Sequence, residues 1–367
     1  MAVAKLGIVA TVVAASLWAG ASATYRFGGS HASGGVALGA QPSGPSMSEA
    51  AYSPCRRYAA TWGSKHGNGS RAHPVRGPHR LVKMLKAGQT GCLRGGIYHQ
   101  RQTTIRRRNV TLQSAPGERA TLRGRIVLQG RGDRVIGMRL DGSYGPRCDS
   151  SACGTLPSPT INAPDGVIAL DDISSHDAGI CVHPRAWHGL RPDRFKILFN
   201  RIHDCGRRPH TDHDHGIYVA DGNGGQIIDN VVYDNADRGI QLYPDAHGTL
   251  VLHNTVDGNG SGVVYSERSS GNRVRDNIFT NSVVRWNAET FNLWGRGNLF
   301  AGNCVRAGNR NSRYNENGGV ALPRMVAQHG NRRAHRDVYF SRRAGDFRIR
   351  RNSSCAGKGA PDWVAGP

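Results

Sequence analysis

Four short segments in the middle of the chain share one pattern of apolar and polar positions around a glycine. They are DAGICVH at 177–183, DHGIYVA at 214–220, DRGIQLY at 237–243 and GSGVVYS at 260–266. Their glycines, at 179, 216, 239 and 262, are 37, 23 and 23 residues apart. Polar, proline-containing stretches around 184–194 and 206–212 account for the longer first interval. Self-similarity at such a period predicts stacked supersecondary units.

A second series of segments places an asparagine directly before or beside each apolar run. The segments are FNRIHD, DNVVYD, HNTVDG, DNIFTN and GNLFAG, with asparagines Asn200, Asn230, Asn254, Asn277 and Asn298. Asparagine side chains at matching turns can hydrogen-bond along a stack and satisfy turn backbone groups. We therefore expect this series to be structural.

The apolar runs are too short for helices and have strand composition. Each spans about four to six residues, is rich in β-branched side chains and is bounded by Gly, Asn or Asp. Two or three such strands per coil predict an all-β parallel solenoid in which Ile or Val stacks on its counterpart in the next coil. One helix is expected within 80–87, where LVKMLK has helical spacing and Gly88 follows as a stop signal. It would cap the N-terminal end.

These features resemble the right-handed parallel β-helix proteins of the pectate-lyase-like superfamily over roughly residues 80–355. Besides the repeats, AGQTGCLRGGIY at 87–98 is similar to the first coil of many secreted bacterial members, and GDFRIRRNSSCAGKGA at 345–360 to their terminal segment. The superfamily holds polysaccharide lyases, hydrolases, uronan epimerases and binding spikes, so the resemblance implies a fold and leaves the activity open.

Strand alternation predicts which side chains face solvent. If Ile180, Ile217, Ile240 and Val263 are core residues, then Val182, Val219, Leu242 and Tyr265 are buried as well. The interleaved positions then form one flat, exposed sheet. They are Ala178, Cys181, His183, His215, Tyr218, Ala220, Arg238, Gln241, Tyr243, Ser261, Val264 and Ser266.

The polar members of this face suit proton abstraction from a uronate. That reaction needs a cation for the carboxylate, a base, and an acid for the leaving oxygen. We predict that Arg238 binds the carboxylate, that His215 is the base, and that Tyr218 or Tyr243 is the acid or stacks on a sugar ring. The predicted substrate-binding residues are Gln241, His183 and Trp286. Returning the proton to the opposite face would make an epimerase instead of a lyase. Alternatively, His215 and Arg238 are surface partners of neighbouring aspartates.

Two further readings involve carboxylates. The tract HTDHDHG at 210–216 makes a Ca²⁺ site of Asp212, Asp214 and Asp237 possible, as in the pectate lyases, although the motifs of those enzymes are missing. No other cofactor is predicted. The alternative enzyme is a polygalacturonase-type hydrolase, which Asp171-Asp172 and His215-Gly216 resemble loosely, or which Asp214 and Asp237 would serve as a carboxylate pair.

Charge and motifs narrow the partners. Lys and Arg outnumber Asp and Glu by 48 to 26, and the net charge of +22 favours polyanions. No zinc finger, helix-turn-helix, RNA-binding aromatic motif or nucleotide phosphate loop is visible. We predict an acidic polysaccharide as partner, no specific nucleic acid, and a monomer. A non-catalytic polyanion or cell-wall binder is the second class of function.

The N-terminus and the cysteines predict export. Lys5, the apolar stretch 6–21 and the small residues at 21–23 form a signal-peptide pattern for 1–23, with an uncleaved anchor as the alternative. Residues 24–50 resemble a flexible linker, and 51–367 form the β-helix domain with a basic C-terminal segment. After cleavage, no membrane contact is expected for the secreted, extracellular chain. Eight cysteines suggest the local disulfides Cys55–Cys92, Cys148–Cys153, Cys181–Cys205 and Cys304–Cys355, with a zinc site as the weaker alternative.

Overall fold

The structure is a computed structural model that describes residues 52–143, 157–176, 179–306, 319–335 and 338–366. These residues belong to one compact unit, Gly44–Pro367. The predicted signal peptide, the linker and the Cys148–Cys153 pair lie outside the described residues. Among the described residues, no helix has both the length and the apolar character needed to cross a membrane.

Most described strands belong to three parallel sheets, and they are numbered β1 to β31 along the chain. Sheet 1 contains twelve strands. They are β1 (Arg57–Ala60), β2 (Val75–Arg76), β3 (Thr90–Leu93), β5 (Thr111–Ser114), β7 (Arg134–Ile136), β10 (Val167–Ala169), β13 (Lys196–Leu198), β16 (Gln226–Ile228), β19 (Leu250–Leu252), β22 (Arg273–Arg275), β25 (Leu299–Ala301) and β28 (Ala327–His329).

Sheet 2 also contains twelve strands. They are β4 (Gly96–Ile105), β6 (Ala120–Leu128), β8 (Arg139–Asp141), β9 (Thr160–Ile161), β11 (Asp172–His176), β12 (His183–Pro184), β14 (Arg201–Gly206), β17 (Val231–Tyr233), β20 (Thr255–Asp257), β23 (Ile278–Thr280), β26 (Cys304–Arg306) and β29 (Arg332–Ala334).

Sheet 3 is shorter and contains five strands. They are β15 (Ile217–Asn223), β18 (Arg238–His247), β21 (Ser261–Ser266), β24 (Ala288–Phe291) and β27 (Val320–Ala321). From β13 to β29 the chain visits sheets 1, 2 and 3 in turn, so each coil supplies one strand to each sheet. This is the predicted parallel β-helix with three strands per coil.

Stacked apolar columns fill the centre of the helix. In sheet 1, five buried side chains align in one column, each paired with the next along neighbouring strands. They are Ile168, Ile197, Ile227, Val251 and Val274. Each coil has a β-branched apolar residue at the same position, so each side chain covers its neighbours in the column. Removing apolar surface from water in this way stabilises the fold by about 25 cal/mol per Å². The repeat period found in the sequence is therefore the period of the core.

Buried asparagines form ladders that run along the stack. In the longest ladder, Asn200 Nδ2 donates to Asn230 Oδ1 at 2.9 Å, and the pattern continues through Asn254, Asn277, Asn303 and Asn331. The predicted structural role is confirmed, with one correction. Asn298 belongs to a separate ladder, where it accepts a hydrogen bond from Asn272 at 3.0 Å, because it precedes a strand of sheet 1.

The N-terminal helix, α1 (Pro78–Met84), starts and ends earlier than the sequence predicted. Pro78 stands in the first turn, where its missing N–H costs nothing. Leu85 already has extended backbone, with ψ of 138°. Leu81 and Leu85 are nonetheless fully buried in the core cluster, so the helix and its exit cover the first coils as expected.

The C-terminal segment is more than a basic surface. An antiparallel pair, β30 (Tyr339–Ser341) and β31 (Asp346–Ile349), and the short helix α2 (Asp362–Ala365) contribute to a second apolar cluster that includes Phe199 of the coils and Phe347 of the segment. Arg342 donates to Asp234 at 2.6 Å and also pairs with Asp257. Part of the predicted basic tail is thus neutralised within the fold.

Three predicted disulfides are confirmed among the described cysteines: Cys55–Cys92, Cys181–Cys205 and Cys304–Cys355. The first ties the segment before the first coil to sheet 1, and the last ties the C-terminal segment to sheet 2. Such bonds persist in oxidising compartments, so they fit an extracytoplasmic protein.

Candidate functional site

A cavity of about 550 Å³ opens over the first strands of sheet 3. It contains seven of the ten residues predicted for the site. The lining residues are Pro157, Ile180, His183, Arg185, Ala186, Arg207, Asp212, His213, His215, Tyr218, Ala220, Asp221, Arg238, Gln241, Tyr243, Arg285 and Phe291. The predicted residues outside this lining are Asp214, Asp237 and Trp286.

Strand register brings the predicted side chains together. Ile217 pairs with Ile240 and Val219 with Leu242, and all four point into the core. The alternate pair, Tyr218 and Gln241, therefore shares the outer face, as the alternation predicted. On the following strand the prediction was wrong: Ser261, Val264 and Ser266 are buried and do not line the cavity.

The coil that carries His183 is shifted by two residues relative to the expected alignment. Val182 pairs with Ile217, so Ile180 stands beside His215 instead of beside Ile217. Ile180 is consequently a half-buried cavity residue and not core, while Cys181, expected on the exposed face, is fully buried in its disulfide. The glycine motif misled the alignment because the disulfide and Val182, not Gly179, fix this segment on the coil.

Two uncharged histidines line the cavity, and their hydrogen bonds select opposite tautomers. His183 Nδ1 lies 2.8 Å from the carbonyl oxygen of Tyr218, which can only accept, so Nδ1 carries the proton and Nε2 carries the lone pair. His215 Nδ1 accepts the backbone N–H of Arg238 at 3.4 Å, which leaves the proton of the neutral ring on Nε2. One ring therefore offers an acceptor and the other a donor.

Burial keeps both rings neutral. It lowers the pKa of His183 to about 3, with smaller contributions from the charges of Arg185 and Arg125. Burial also lowers the pKa of His215 well below its usual range, reinforced by the charge of Arg238. The charged form loses hydration in such a site, so neutral imidazole is the state present at ordinary pH.

Two polar groups of the cavity are left without partners. The Nε of Arg238 and the Oε1 of Gln241 are buried and have no hydrogen-bond partner within the described residues. Arg238 uses its other nitrogens on Asp212, through the carbonyl oxygen at 2.9 Å and the carboxylate at 3.4 Å. Buried polar atoms without partners are costly unless a ligand satisfies them. The Nε of Arg238 is therefore available to a bound molecule, whereas Gln241 also lies close enough to His215 to act on the pKa of that ring.

Aromatic rings form the floor beside these groups. The Tyr218 ring stacks on His183 with centroids 4.6 Å apart, meets the edge of His215 at 5.4 Å, and stacks with Tyr243 at 6.1 Å. Burial raises the pKa of Tyr218 above its usual value, so its hydroxyl stays protonated. The floor thus offers flat apolar faces and a proton donor.

The three aspartates predicted as calcium ligands do not converge. Asp214 is fully buried, with Oδ2 2.8 Å from Arg207 Nε. Asp237 accepts the backbone N–H groups of His213 and Asp214 at 2.9 and 2.8 Å. Asp212 lies on the exposed rim against Arg238. The carboxylates of Asp214 and Asp237 thus hold the loop before β15. Their side chains do not pair with those of His215 and Arg238, which was the alternative that the sequence left open. Across the described ranges, no group of three or more His, Cys, Asp or Glu side chains is suited to a metal.

The carboxylates of the alternative hydrolase reading lie elsewhere. Asp171 is buried on the inner side of the coil, where Oδ1 accepts the N–H of Met138 at 2.7 Å. Asp172 pairs with His203 at 3.0 Å on sheet 2. Neither residue lines the cavity, whose own carboxylates are Asp212 and Asp221.

Sequence reasoning missed several cavity residues, and besides the two aspartates it placed Trp286 in the site although Trp286 lies outside the lining. Arg185 and Ala186 come from the stretch that was set aside as an insertion between repeats, and Arg285 follows the last clear repeat. Trp286 lies outside the cavity lining, and its backbone carbonyl accepts the N–H of Gly262 at 3.0 Å. Phe291, close by on β24, lines the cavity instead. The only sequence signal for Arg185 was its positive charge within the long stretch at 184–194.

Comparisons with known proteins agree with this architecture. The family model for the periplasmic copper-binding protein NosD matches residues 165–316. The solved structure of the pectate lyase Pel9A is 12% identical, with a TM-score of 0.54 over 86% of this chain and 96% of that chain. The chain is a right-handed parallel β-helix protein. The complex of XylC with xylose is similar too, at 13% identity and a TM-score of 0.54 over 73% of this chain and 69% of that one.

At this identity these likenesses establish the fold alone, which is the right-handed parallel β-helix that the sequence predicted. A search of curated sequences found no match. The described residues do not fit the copper ion in the NosD family's name, because no three metal-ligating side chains meet and the described cysteines are in disulfides. The reaction must be argued from the cavity itself.

Proposed function

We propose that this β-helix protein is a secreted enzyme that acts on an acidic, uronate-containing polysaccharide by abstracting the proton next to the uronate carboxylate. The observation that carries the proposal is the pairing, in one cavity, of two neutral histidines of opposite tautomer with a buried guanidinium that has a free Nε. The similarity to the fold of a pectate lyase supports a polysaccharide as substrate.

Arg238 is the group for the reacting carboxylate. Its side chain is almost fully buried, and a guanidinium in such surroundings stays charged and binds carboxylates through several N–H groups. Neutralising that carboxylate lowers the cost of forming a carbanion beside it. Removing one such stabilising group typically costs about 100- to 1,000-fold in rate.

The hydrogen bonds favour dividing the proton transfers between the two histidines. His183 holds a lone pair on Nε2 and suits the base. His215, which the sequence suggested as base, holds an N–H on Nε2 in this hydrogen-bond arrangement and suits donation to the carboxylate or the enolate that forms from it. Both rings are neutral, so the division of roles rests on which ring nitrogen carries the proton.

The elimination balances with these groups. The base takes the proton from the carbon that bears the carboxylate, and that electron pair forms the new carbon–carbon double bond. The bond from the next carbon to the glycosidic oxygen breaks, and Tyr218 or Tyr243 donates a proton to this leaving oxygen. Delivery of a proton to the opposite face before the bond breaks gives epimerisation.

A panel of uronans tests the proposal. Full-length protein is incubated with polygalacturonate, alginate and hyaluronan while ultraviolet absorbance of unsaturated uronate and reducing ends are followed together. We expect absorbance to rise, or, for epimerisation, the NMR spectrum of the polymer to change without cleavage. Reducing ends without absorbance would indicate hydrolysis. Binding without any chemical change would indicate a non-catalytic binder and would overturn the proposal.

A further inference from the structure

One arginine of the cavity has no carboxylate partner among the described residues. Arg207 is held by Asp214, Arg285 by Glu289 at 2.9 Å, and Arg238 by Asp212. Arg185 instead places its guanidinium carbon 5.4 Å from the centroid of the Trp187 ring. Stacking uses the face of a guanidinium and leaves its N–H edges open, and those edges match a carboxylate.

The backbone at Arg185 is fixed, so the side chain is presented from a defined position. Its N–H donates to the carbonyl of Ile161 at 2.9 Å, and its carbonyl accepts Asn162 Nδ2 at 3.0 Å. The next residue, Ala186, donates its N–H to Asp221 at 3.1 Å. The segment is therefore part of the coil and not a loose insertion.

Arg185 and Arg238 serve different parts of the cavity. Val182, Ile217 and Ile240 occupy the same position on three consecutive coils. Arg185 stands three residues after Val182, whereas Arg238 stands two residues before Ile240. The backbones are thus about 10 Å apart along the helix axis and roughly 16 Å apart along the strand direction. The positive charge of Arg185 acts on His183, whereas that of Arg238 acts on His215.

We propose that Arg185, stacked on Trp187, binds the carboxylate of a second uronate of the substrate. The cavity then recognises a polymer segment with carboxylates on at least two of its sugars, one held by Arg238 at the reacting unit and one held by Arg185. This inference rests on the proposed function for its substrate class. It adds that a single uronate among neutral sugars is a poor substrate.

Binding and turnover of oligouronates of different length test this assignment. The probes are the hexamers of galacturonate, mannuronate and guluronate and the corresponding monomers, added to full-length wild type and to Arg185→Gln, Arg185→Lys and Arg191→Gln. Arg191 is the matched control because it lies in the same loop and pairs with Asp193 outside the cavity lining. Calorimetry gives affinity, and initial rates give kcat and KM.

For the hexamer that wild type binds best, Arg185→Gln should weaken affinity and raise KM about tenfold, as expected for a charge-assisted contact. The change in kcat should be smaller than the change in KM, and it reports the loss of the Arg185 charge that acts on His183. Arg185→Lys should recover part of the loss. Monomer affinity and the Arg191→Gln variant should be unchanged.

The outcomes separate this inference from the proposed function. Equal hexamer affinity in wild type and Arg185→Gln would overturn the second carboxylate site. Hexamer binding that depends on Arg185 without turnover would support the site and overturn the reaction. Failure of wild type to bind any hexamer would overturn both.

Discussion

Replacing Asp171 by asparagine should stabilise the protein, because this position heads the longest asparagine ladder. The N–H of Asp171 donates to Asn200 Oδ1 at 3.0 Å, as an asparagine there would do. Its Oδ2, however, is buried without a hydrogen-bond partner in the described part of the chain. The next rung shows what is missing, since Asn200 Nδ2 donates to the carbonyl of Ile168 at 3.1 Å. The register places the carbonyl of Val135 at the equivalent point.

The magnitude has two parts. A net gain of one buried neutral hydrogen bond is worth about 0.5–1.5 kcal/mol, and this is an upper bound here because a protonated Asp171 can donate its own O–H to the same carbonyl. The second part depends on pH, because burial raises the pKa of Asp171 well above its usual value. The native state then holds a proton that the unfolded chain releases above about pH 4. Wild-type stability is lost as pH rises from there to the raised pKa, by at most about 1.4 kcal/mol per pH unit. Asparagine does not titrate, so the advantage of Asp171→Asn should widen over the same window.

Thermal unfolding followed by circular dichroism at about pH 4 and about pH 7 measures both parts. Asn254→Asp is the matched control, since it puts a carboxyl into the middle of the same ladder and should lower Tm, most at the higher pH. Turnover should not change in Asp171→Asn, because this side chain is outside the cavity. A Tm advantage that is absent, or that shrinks as pH rises, would refute the reasoning.

The remaining predictions concern the cavity and its support. His183→Gln and His215→Gln should each lower turnover by about 100- to 10,000-fold with an unchanged circular dichroism spectrum; wild-type rates in both would show that neither moves a proton. Because the pKa of His183 is lowered to about 3, its base form survives acidification. The kcat/KM should stay level through about pH 6.5 and fall only well below it; a midpoint near an ordinary histidine value would contradict this. Arg238→Lys should lower kcat/KM at least about tenfold, since an ammonium cannot bind a carboxylate in the same way; an unaffected rate would remove Arg238 from the carboxylate site. Replacing Cys181 and Cys205 by serine opens a disulfide of sequence separation 24 and should lower the free energy of unfolding by about 3 kcal/mol. We expect a lower Tm and a lower turnover, because this disulfide holds the segment that carries His183; an equal Tm would show that strand pairing alone holds the segment.

Most of the fold could be predicted because every coil of a solenoid packs on its neighbours in the same way. The same apolar position recurs in every coil, so a period of 23 residues and short β-branched runs indicate stacked strands. The boundaries were less accessible. The helix ends at Met84 and not near Ala87, and Leu85 is buried with an extended backbone. Asn298 and Asn303 both precede apolar runs, and only three-dimensional register assigns them to different ladders.

The candidate site was predictable where strands are regular and not where the loops differ in length. Alternation placed Tyr218, Gln241 and Tyr243 correctly beside one another. It failed for Ile180, because a disulfide and one buried valine decide where that segment joins the coil. It also could not show that Asp214 and Asp237 are occupied by an arginine and by backbone N–H groups, since loop closure is invisible to periodicity.

The asparagine ladder has a consequence for how the molecule comes apart. All its amides point the same way along the axis, so each donates to the next coil and polarises the bond that follows. Rungs in the middle pair with an asparagine of the ladder on at least one side and a further ladder residue on the other, while the terminal rungs at Asp171 and Asn331 each pair with only one residue of the ladder. Within the stretch that the ladder spans, coils at its two ends should therefore open before those in its middle, as in a one-dimensional chain with nearest-neighbour coupling. Arg238 belongs to an interior coil of the ladder, whereas His183 shares its coil with the terminal rung at Asp171 and should lose its register earlier.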